Sequence, residues 1–357
     1  MQPDAGRGQE SLTAQEADQV NAPADPEVED EATPIVAPRR PEMEEKAPPI
    51  LLQPRTLNIV GKRNWYFLFS LIIIIPGIIS MVTLGFRFGI DFQGGSEFLL
   101  KFQNNPTLAA VQSAVSAEGV NGVVQQASGG TFIIRTGVLD PQQSQAFEDQ
   151  VSAKLGTAID ANKSSVSQVG PTVAQEIVTG ALIAVVVASL LILFYLAFRF
   201  RRVPGGVRSG FQFAGSALLA LLHDVFLVAG IFSILGRVFN LRIGEVDSLF
   251  MTAILTVVGF SVHDTIVIFD RIRENMIVSQ RLTFEQVANL SIMQSAARSI
   301  ITSFTVVLVL LSLLLFGGDT IKGFVLALLI GIISGTYSSI FNATPLLVVW
   351  RKLQPVR

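Results

Sequence analysis

Residues 249–275 read LFMTAILTVVGFSVHDTIVIFDRIREN, a membrane-length apolar stretch carrying His263 and Asp264 inside it and closing on Asp270, Arg271, Arg273 and Glu274. An ionisable side chain in hydrocarbon costs at least about 2.5–3.5 kcal/mol, so a chain keeps one there where it has a role. A second pair, His223 and Asp224, lies midway along the preceding apolar segment. This is the pattern of a membrane machine with acids in its core, not of a passive anchor.

The rest of the chain agrees. Half of the 357 residues are hydrophobic and 15% are charged, which places the sequence in the membrane class. Six segments are long and apolar enough to span about 30 Å of hydrocarbon: approximately 65–84, 177–198, 211–235, 249–269, 299–316 and 324–350. The first is too long, lies too far from the start and lacks a small-residue cleavage site, so it is not read as a cleaved signal peptide and is expected to remain as a helix. Arginine and lysine cluster before the first span, between the second and third, between the fourth and fifth, and after the sixth. The other side carries only Arg237, Arg242 and Lys322 in its short loops. The bias predicts that both termini are cytoplasmic, with the long loop after the first span facing outward. With no cysteine in the chain, disulfides and thiolate metal sites are excluded and no redox compartment follows.

Residues 1–54 are rich in Glu, Asp, Pro and Ala and poor in aromatics. Such a segment buries too little apolar surface to offset its chain entropy and is expected to be disordered. Residues 55–86 form the flank and first span. Residues 87–172 follow as an outward domain, 173–352 as the remaining five-helix bundle, and 353–357 as a cytoplasmic tail. Within the outward domain Ser96–Phe102 alternates as a strand does. Pro106 opens a helix that Gly119 ends. Residues 122–127 and 131–136 form a hairpin across Ser128-Gly129-Gly130. Asp140-Pro141 starts a second helix stopped near Gly156, and residues 164–169 form a last strand. The order βαββαβ is the ferredoxin-like unit. The predicted fold is therefore a membrane α-helical bundle with an inserted α+β domain.

Nothing in that domain points to catalysis: it has no histidine, nucleophile triad, phosphate loop or metal-ligand spacing. Along the whole chain there is no Gly-x-Gly-Asp, Gly-x-Ser-x-Gly or His-Glu-x-x-His, which speaks against an intramembrane hydrolase. No enzyme activity, cofactor or metal is expected, nor any nucleic acid. The stretch GIDFQGG at residues 89–95 is a junction where Gly94 and Gly95 permit a tight turn or close backbone approach. Asp91 there is placed to cap a helix, pair with Arg87 or meet a partner.

GIDFQGG at 89–95, LLHDVFLVAGIFS at 221–233 and VGFSVHDTIVIFDRIREN at 258–275 together resemble the SecD/SecF family of protein-export membrane proteins, in the resistance-nodulation-division superfamily. The resemblance covers residues 55–350 and fits one helix, a large outward domain and five further helices, half of such a transporter. It implies an accessory subunit of the Sec translocase in the bacterial inner membrane. Such a subunit pairs with SecD, works beside SecYEG with YajC or YidC, and uses the proton-motive force to draw preproteins outward. It also implies that Asp264 and Arg298 are a proton-coupling pair. Gln93, where threonine is common, and His263, where many members have asparagine, depart from the family pattern. A single-repeat, proton-coupled exporter of small molecules or lipids is the alternative.

The residues add their own expectations. Thr256, Phe260 and Asp264 are spaced to share a face, as are Ser216, Ala220 and Asp224; packed together, these stripes bury the acids. Gly331, Gly335 and Ser339 repeat a small-residue spacing in the sixth span, with Asn342 beyond. Arg298 opens the fifth span within reach of an acid a turn or two deeper. His223, Asp224 and His263 serve either a proton path or structural polar contacts. Asp270, Arg271 and Glu274 read as a capped, solvated helix end or docking surface.

Overall fold

A computed structural model describes residues 57–355 apart from Asn121; the acidic segment 1–54 and the last two residues of the tail lie outside the described residues. Among the described residues ten α-helices and four strands run in the order α1 (Arg63–Thr83), α2 (Ile90–Gln93), β1 (Gly95–Lys101), α3 (Leu108–Ser116), β2 (Val123–Gln126), β3 (Thr131–Thr136), α4 (Pro141–Leu155), β4 (Ser165–Val169), α5 (Pro171–Arg199), α6 (Gly206–Ser233), α7 (Ser248–Val278), α8 (Phe284–Phe316), α9 (Lys322–Ser338) and α10 (Thr344–Leu353). Among the described residues six spans are long and apolar enough to cross a membrane, α9 and α10 joining into the sixth. The helices overrun the predicted spans. In particular α8 begins at Phe284, so Arg298 stands mid-helix and not at its start.

The sheet is antiparallel, in the order β2-β3-β1-β4, with α3 and α4 on one face, as βαββαβ predicts. Phe98, Leu100, Phe102, Val111, Phe132, Ile134, Phe147 and Val151 form its core. Asp140 caps α4 through a capping box with Gln143, and Gly156 ends it in the left-handed region at φ 60°, as those residue types favour.

The glycine pair that precedes β1 is explained by crowding. Gly95 has φ 138°, and a Cβ there would stand 2.7 Å from the Thr136 carbonyl oxygen; one on Gly94 would press on the backbone of Pro171. The sheet is thus seated directly on the start of α5. Between the helices, Gly77 of α1 faces Gly230 of α6 so closely that a Cβ on Gly77 would be 2.8 Å from the Gly230 Cα. Ser80 and Ser233 hydroxyls meet beside it at 2.8 Å. With no hydrophobic drive between helices in lipid, such close contact carries the association. Helix α5 buries nothing in its apolar middle, which fits a lipid-facing span.

Candidate functional site

Helices α6, α7 and α9 pack around two carboxylates. Asp224 on α6 is 1% exposed and both of its oxygens are used twice. Oδ1 accepts from Ser334 Oγ at 2.6 Å and lies 3.0 Å from His223 Nδ1. Oδ2 accepts from Ser261 Oγ at 2.7 Å and Ser338 Oγ at 2.6 Å. Three serines from α7 and α9 thereby converge on one acid of α6. A buried carboxylate is tolerable when its lone pairs are filled in this way.

Asp264 on α7 is also buried, at 7% exposure, but is less well provided. Its neighbours are the hydroxyls of Ser299 on α8 and Ser339, with His263 adjacent. Among the described residues Asp264 Oδ2 and Ser299 Oγ have no aligned hydrogen bond. Ser339 Oγ lies 2.8 Å from Thr265 Oγ1, which continues the polar seam between α7 and the α9–α10 junction. One acid is saturated and the other has capacity to spare.

Several sequence expectations change here. Arg298 does not pair with Asp264: its residue is exposed, and the helix turns Ser299 inward in its place. Thr256 is exposed, so the stripe of α7 that meets its neighbours is Val257, Ser261, Asp264 and Thr265. The stripe Ser216, Ala220 and Asp224 is buried as predicted. Gly331 and Gly335 press on Val257 and Ser261 of α7. His263 is exposed on the outer face of α7, whereas His223 is turned inward with Nε2 buried and unpartnered among the described residues. Asp270, Arg271 and Glu274 are not a helix end, since α7 continues to Val278. Asp270 pairs with Arg199 of α5 at 2.9 Å, and Arg271 with Glu274 at 2.6 Å.

A second cluster, at the sheet-side end, was not foreseen. Glu97 of β1 and Arg135 of β3 are cross-strand partners, 2.6 Å apart. Arg135 continues to Glu245, Nη1 to Oε1 at 2.6 Å and Nη2 to Oε2 at 2.7 Å. Arg242 closes onto Glu97 at 2.7 Å. Both Arg242 and Glu245 belong to the loop joining α6 to α7. The sheet face that carries Glu97 is therefore laid on this loop, beside a cavity of about 480 Å³. Burial opposes the charge on Arg135, but the Glu245 and Glu97 carboxylates outweigh it and raise its pKa. Burial pushes the Glu245 carboxyl up, against the attraction of Arg135. Asp247 is likewise raised by burial, against its bond from the Phe250 amide. The available signal was two arginines, 237 and 242, on the arginine-poor side of the spans.

Asp91 completes this end. It does not pair with Arg87, which bonds Asn240. Its Oδ2 accepts from the Ser248 amide at 2.9 Å and from the Ser248 hydroxyl, while Asp247 caps the Phe250 amide at 2.7 Å. The start of α7, the helix bearing Asp264, is thus gripped by two carboxylates favoured at a helix N-terminus.

Comparison with known proteins matches two parts of the chain. Residues 149–353 match the family described as protein export membrane protein SecD/SecF, C-terminal, and residues 79–106 match the SecD/SecF GG motif. Protein translocase subunit SecF of Thermobaculum terrenum is 45% identical over 306 residues, covering 82% of this chain and 94% of that one. The corresponding protein of Anaerolinea thermophila is 39% identical, with the same coverage. The crystal structure of SecDF from Thermus thermophilus, a translocon-associated membrane protein, superposes with TM-score 0.72 at 31% identity, over 85% of this chain and 39% of that chain.

Proposed function

The chain belongs to the SecD/SecF family of protein-export membrane proteins, and on that premise we propose that it is an accessory translocase subunit coupling proton movement at Asp264 to its sheet domain. It acts with a SecD-type partner, since this chain corresponds to about two fifths of the SecDF chain and one repeat needs a second to form the pseudo-symmetric interface. The partner completes a translocase with SecYEG, beside YajC or YidC, and acts on preproteins. Both termini are cytoplasmic and the sheet domain is outside, in keeping with the arginine bias.

The observation that carries the reading is the contrast between the two buried acids. Asp224 holds α6, α7 and α9 together through three serine donors. Asp264 meets only the hydroxyls of Ser299 and Ser339, with one oxygen outside aligned hydrogen-bond geometry. A change at Asp264 alters what it asks of Ser299 and Ser339, and so the seating of α7 between its neighbours. From Asp264 to Ser248 the helix runs 16 residues, about 24 Å at 1.5 Å per residue, and ends in the Asp91, Asp247 and Glu245 grip beneath the sheet. A movement of α7 therefore reaches the domain without an intermediate. The driving force is about 2.3 kcal/mol per charge per 100 mV, sufficient to shift a two-state packing substantially. In this reading Arg298 acts from the cytoplasmic side in another state of the cycle.

The test is Asp264→Asn in native membranes. The variant is expected to assemble with its partner and retain ATP-driven translocation while losing the proton-driven stimulation. Full stimulation at normal proton-motive force would refute the reading.

A further inference from the structure

Where α1 hands over to the sheet, two cavities of opposite chemistry lie side by side. The first, of about 380 Å³, is bordered by α5, α6 and α7, and every residue lining it is apolar. Leu182 of α5, Ala229 of α6 and Ile254 of α7 wall it, and Phe86, Phe88 and Phe92 close its sheet-side end. Their ring centroids are 5.9 and 6.0 Å apart in turn. The walls belong to spanning helices, and Leu182 is 61% exposed at the rim, so the cleft opens toward hydrocarbon.

The second cavity, of about 440 Å³, shares Phe88 with the first. Arg87, Arg135 and Arg237 line it, and no carboxylate does. Arg135 is engaged by Glu97 and Glu245. The other two bond neutral oxygens: Arg87 donates to the Asn240 side chain at 2.6 Å and Arg237 to the Phe86 carbonyl at 2.9 Å. Burial lowers the pKa of Arg87; Glu245 opposes this, while Arg135, Arg237 and Arg242 add to it. Positive charge is therefore in excess. Gln93 and Gln125 line the same cavity and carry amide donors. Beside Arg237 the loop exposes Val238 and Phe239, at 56% and 62%. Such side chains next to an arginine at the end of a spanning helix place it at the bilayer surface, its stem in hydrocarbon and its head among polar groups.

We propose that the two cavities form one site for an anionic phospholipid of the sheet-side leaflet, with an acyl chain between α5, α6 and α7 and the phosphate held by Arg237 and Arg87. A partner helix would fill the first cavity and leave the cations of the second without a counter-charge. A molecule with an apolar tail and an anionic head satisfies both, and arginine matches phosphate through charge-assisted hydrogen bonds. The bound lipid joins α5, which buries nothing in its apolar middle, to the connector beneath the sheet.

The chain has no cysteine, so one thiol can carry a fluorophore. Leu182→Cys, at the rim, and Val309→Cys, on α8 and 67% exposed, are labelled with bimane in the full chain, assembled with a cysteine-free form of its co-purifying partner. Vesicles of phosphatidylcholine carry equal minor fractions of either phosphatidylglycerol or phosphatidylcholine brominated in the acyl chains, and quenching gives the relative binding constant of each. At Leu182 phosphatidylglycerol is expected to be favoured about fivefold, the ratio that one arginine at a headgroup sets when it contributes about 1 kcal/mol. At Val309 the two lipids are expected to be equal. Arg237→Gln is expected to bring the Leu182 ratio to about one, and Arg237→Lys to keep most of it, since a point charge remains. Equal constants at Leu182, or the same preference at Val309, would overturn the site. Quenching at Val309 with none at Leu182 would give the cleft to the partner and overturn it too. An unchanged ratio in Arg237→Gln would overturn the assignment of the headgroup; if that variant does not assemble, the lipid comparison at Leu182 decides by itself.

Discussion

Replacing Arg135 by methionine removes the cation that bonds both Glu97 and Glu245 while keeping much of its apolar stem. The side chains of Arg135, Glu97 and Glu245 are 17%, 11% and 6% exposed, so solvent screening is slight and the pair counts as buried. Taking one partner from a buried pair costs about 3–5 kcal/mol, because a desolvated charge is left behind. Glu97 retains Arg242 at 2.7 Å, so Glu245 is the acid that loses its close partner. The lower end of that range applies, about 3 kcal/mol, or roughly a hundredfold in the opening of the joint at 1.4 kcal/mol per tenfold. Two backbone bonds report it: Val246 N to Arg87 O at 2.8 Å and Gly89 N to Val246 O at 2.9 Å. Hydrogen exchange at these amides is expected to accelerate about a hundredfold, with α3 and α4 unaffected. Adding Glu245→Gln removes the stranded charge and is expected to restore most of the protection. Unchanged exchange at Gly89 and Val246 in Arg135→Met would show that the ion pairs do not hold the domain to the helices.

Acidity acts on this joint with a sign opposite to the usual one. Glu245 and Asp247 have pKa values raised by burial, so the folded state binds their protons more tightly than the unfolded chain. Their ionisation is a cost present at neutral pH, relieved as pH falls through the raised folded values and fully relieved below the unfolded ones. Thermal stability in detergent is therefore expected to rise as pH drops from neutral into the carboxylate range, with Glu245→Gln showing a shallower slope. Gly95→Val forces a side chain into 2.7 Å contact with the Thr136 oxygen at φ 138°. Overpacking of this kind costs about 1–3 kcal/mol, so a lower melting temperature is expected, whereas Gly137→Ala, which meets nothing within 4 Å, is expected to be near neutral. Asp91→Ala removes a charged acceptor from Ser248, where bonds of that kind contribute about 1.5–3 kcal/mol. Faster exchange in the first turn of α7 is the expected sign.

Local rules carried a large share of the architecture. The βαββαβ order, the capping box at Asp140, the left-handed stop at Gly156 and the six apolar spans are all decided within a few residues, and periodicity reads such features directly. At Glu97 the same rule goes only half way. Alternation says that Glu97 opposes Phe98, but whether that second side meets water or protein depends on what the chain brings back 145 residues later, at Arg242. Arg298 and Thr256 failed for a different reason. Helix rotation about its own axis is set by neighbouring helices, and one residue of phase, 298 against 299, decides which side chain faces Asp264.

The sequence by itself determined that acids lie within membrane-spanning helices, because the cost of placing them there makes a carboxylate in the 21-residue apolar run 249–269 conspicuous. It also determined the domain inserted after the first span and the small residues that let helices close on one another. Only the tertiary structure decided which acid is which. Asp224 and Asp264 look alike in their His-Asp pairs, each inside an apolar helix. They differ because Ser261, Ser334 and Ser338 converge on the first from two other helices, while the second meets Ser299 and keeps an oxygen unfilled. Hydrogen-bond saturation is a property of the packed neighbourhood, assembled from residues up to 114 positions apart, and no local pattern encodes it.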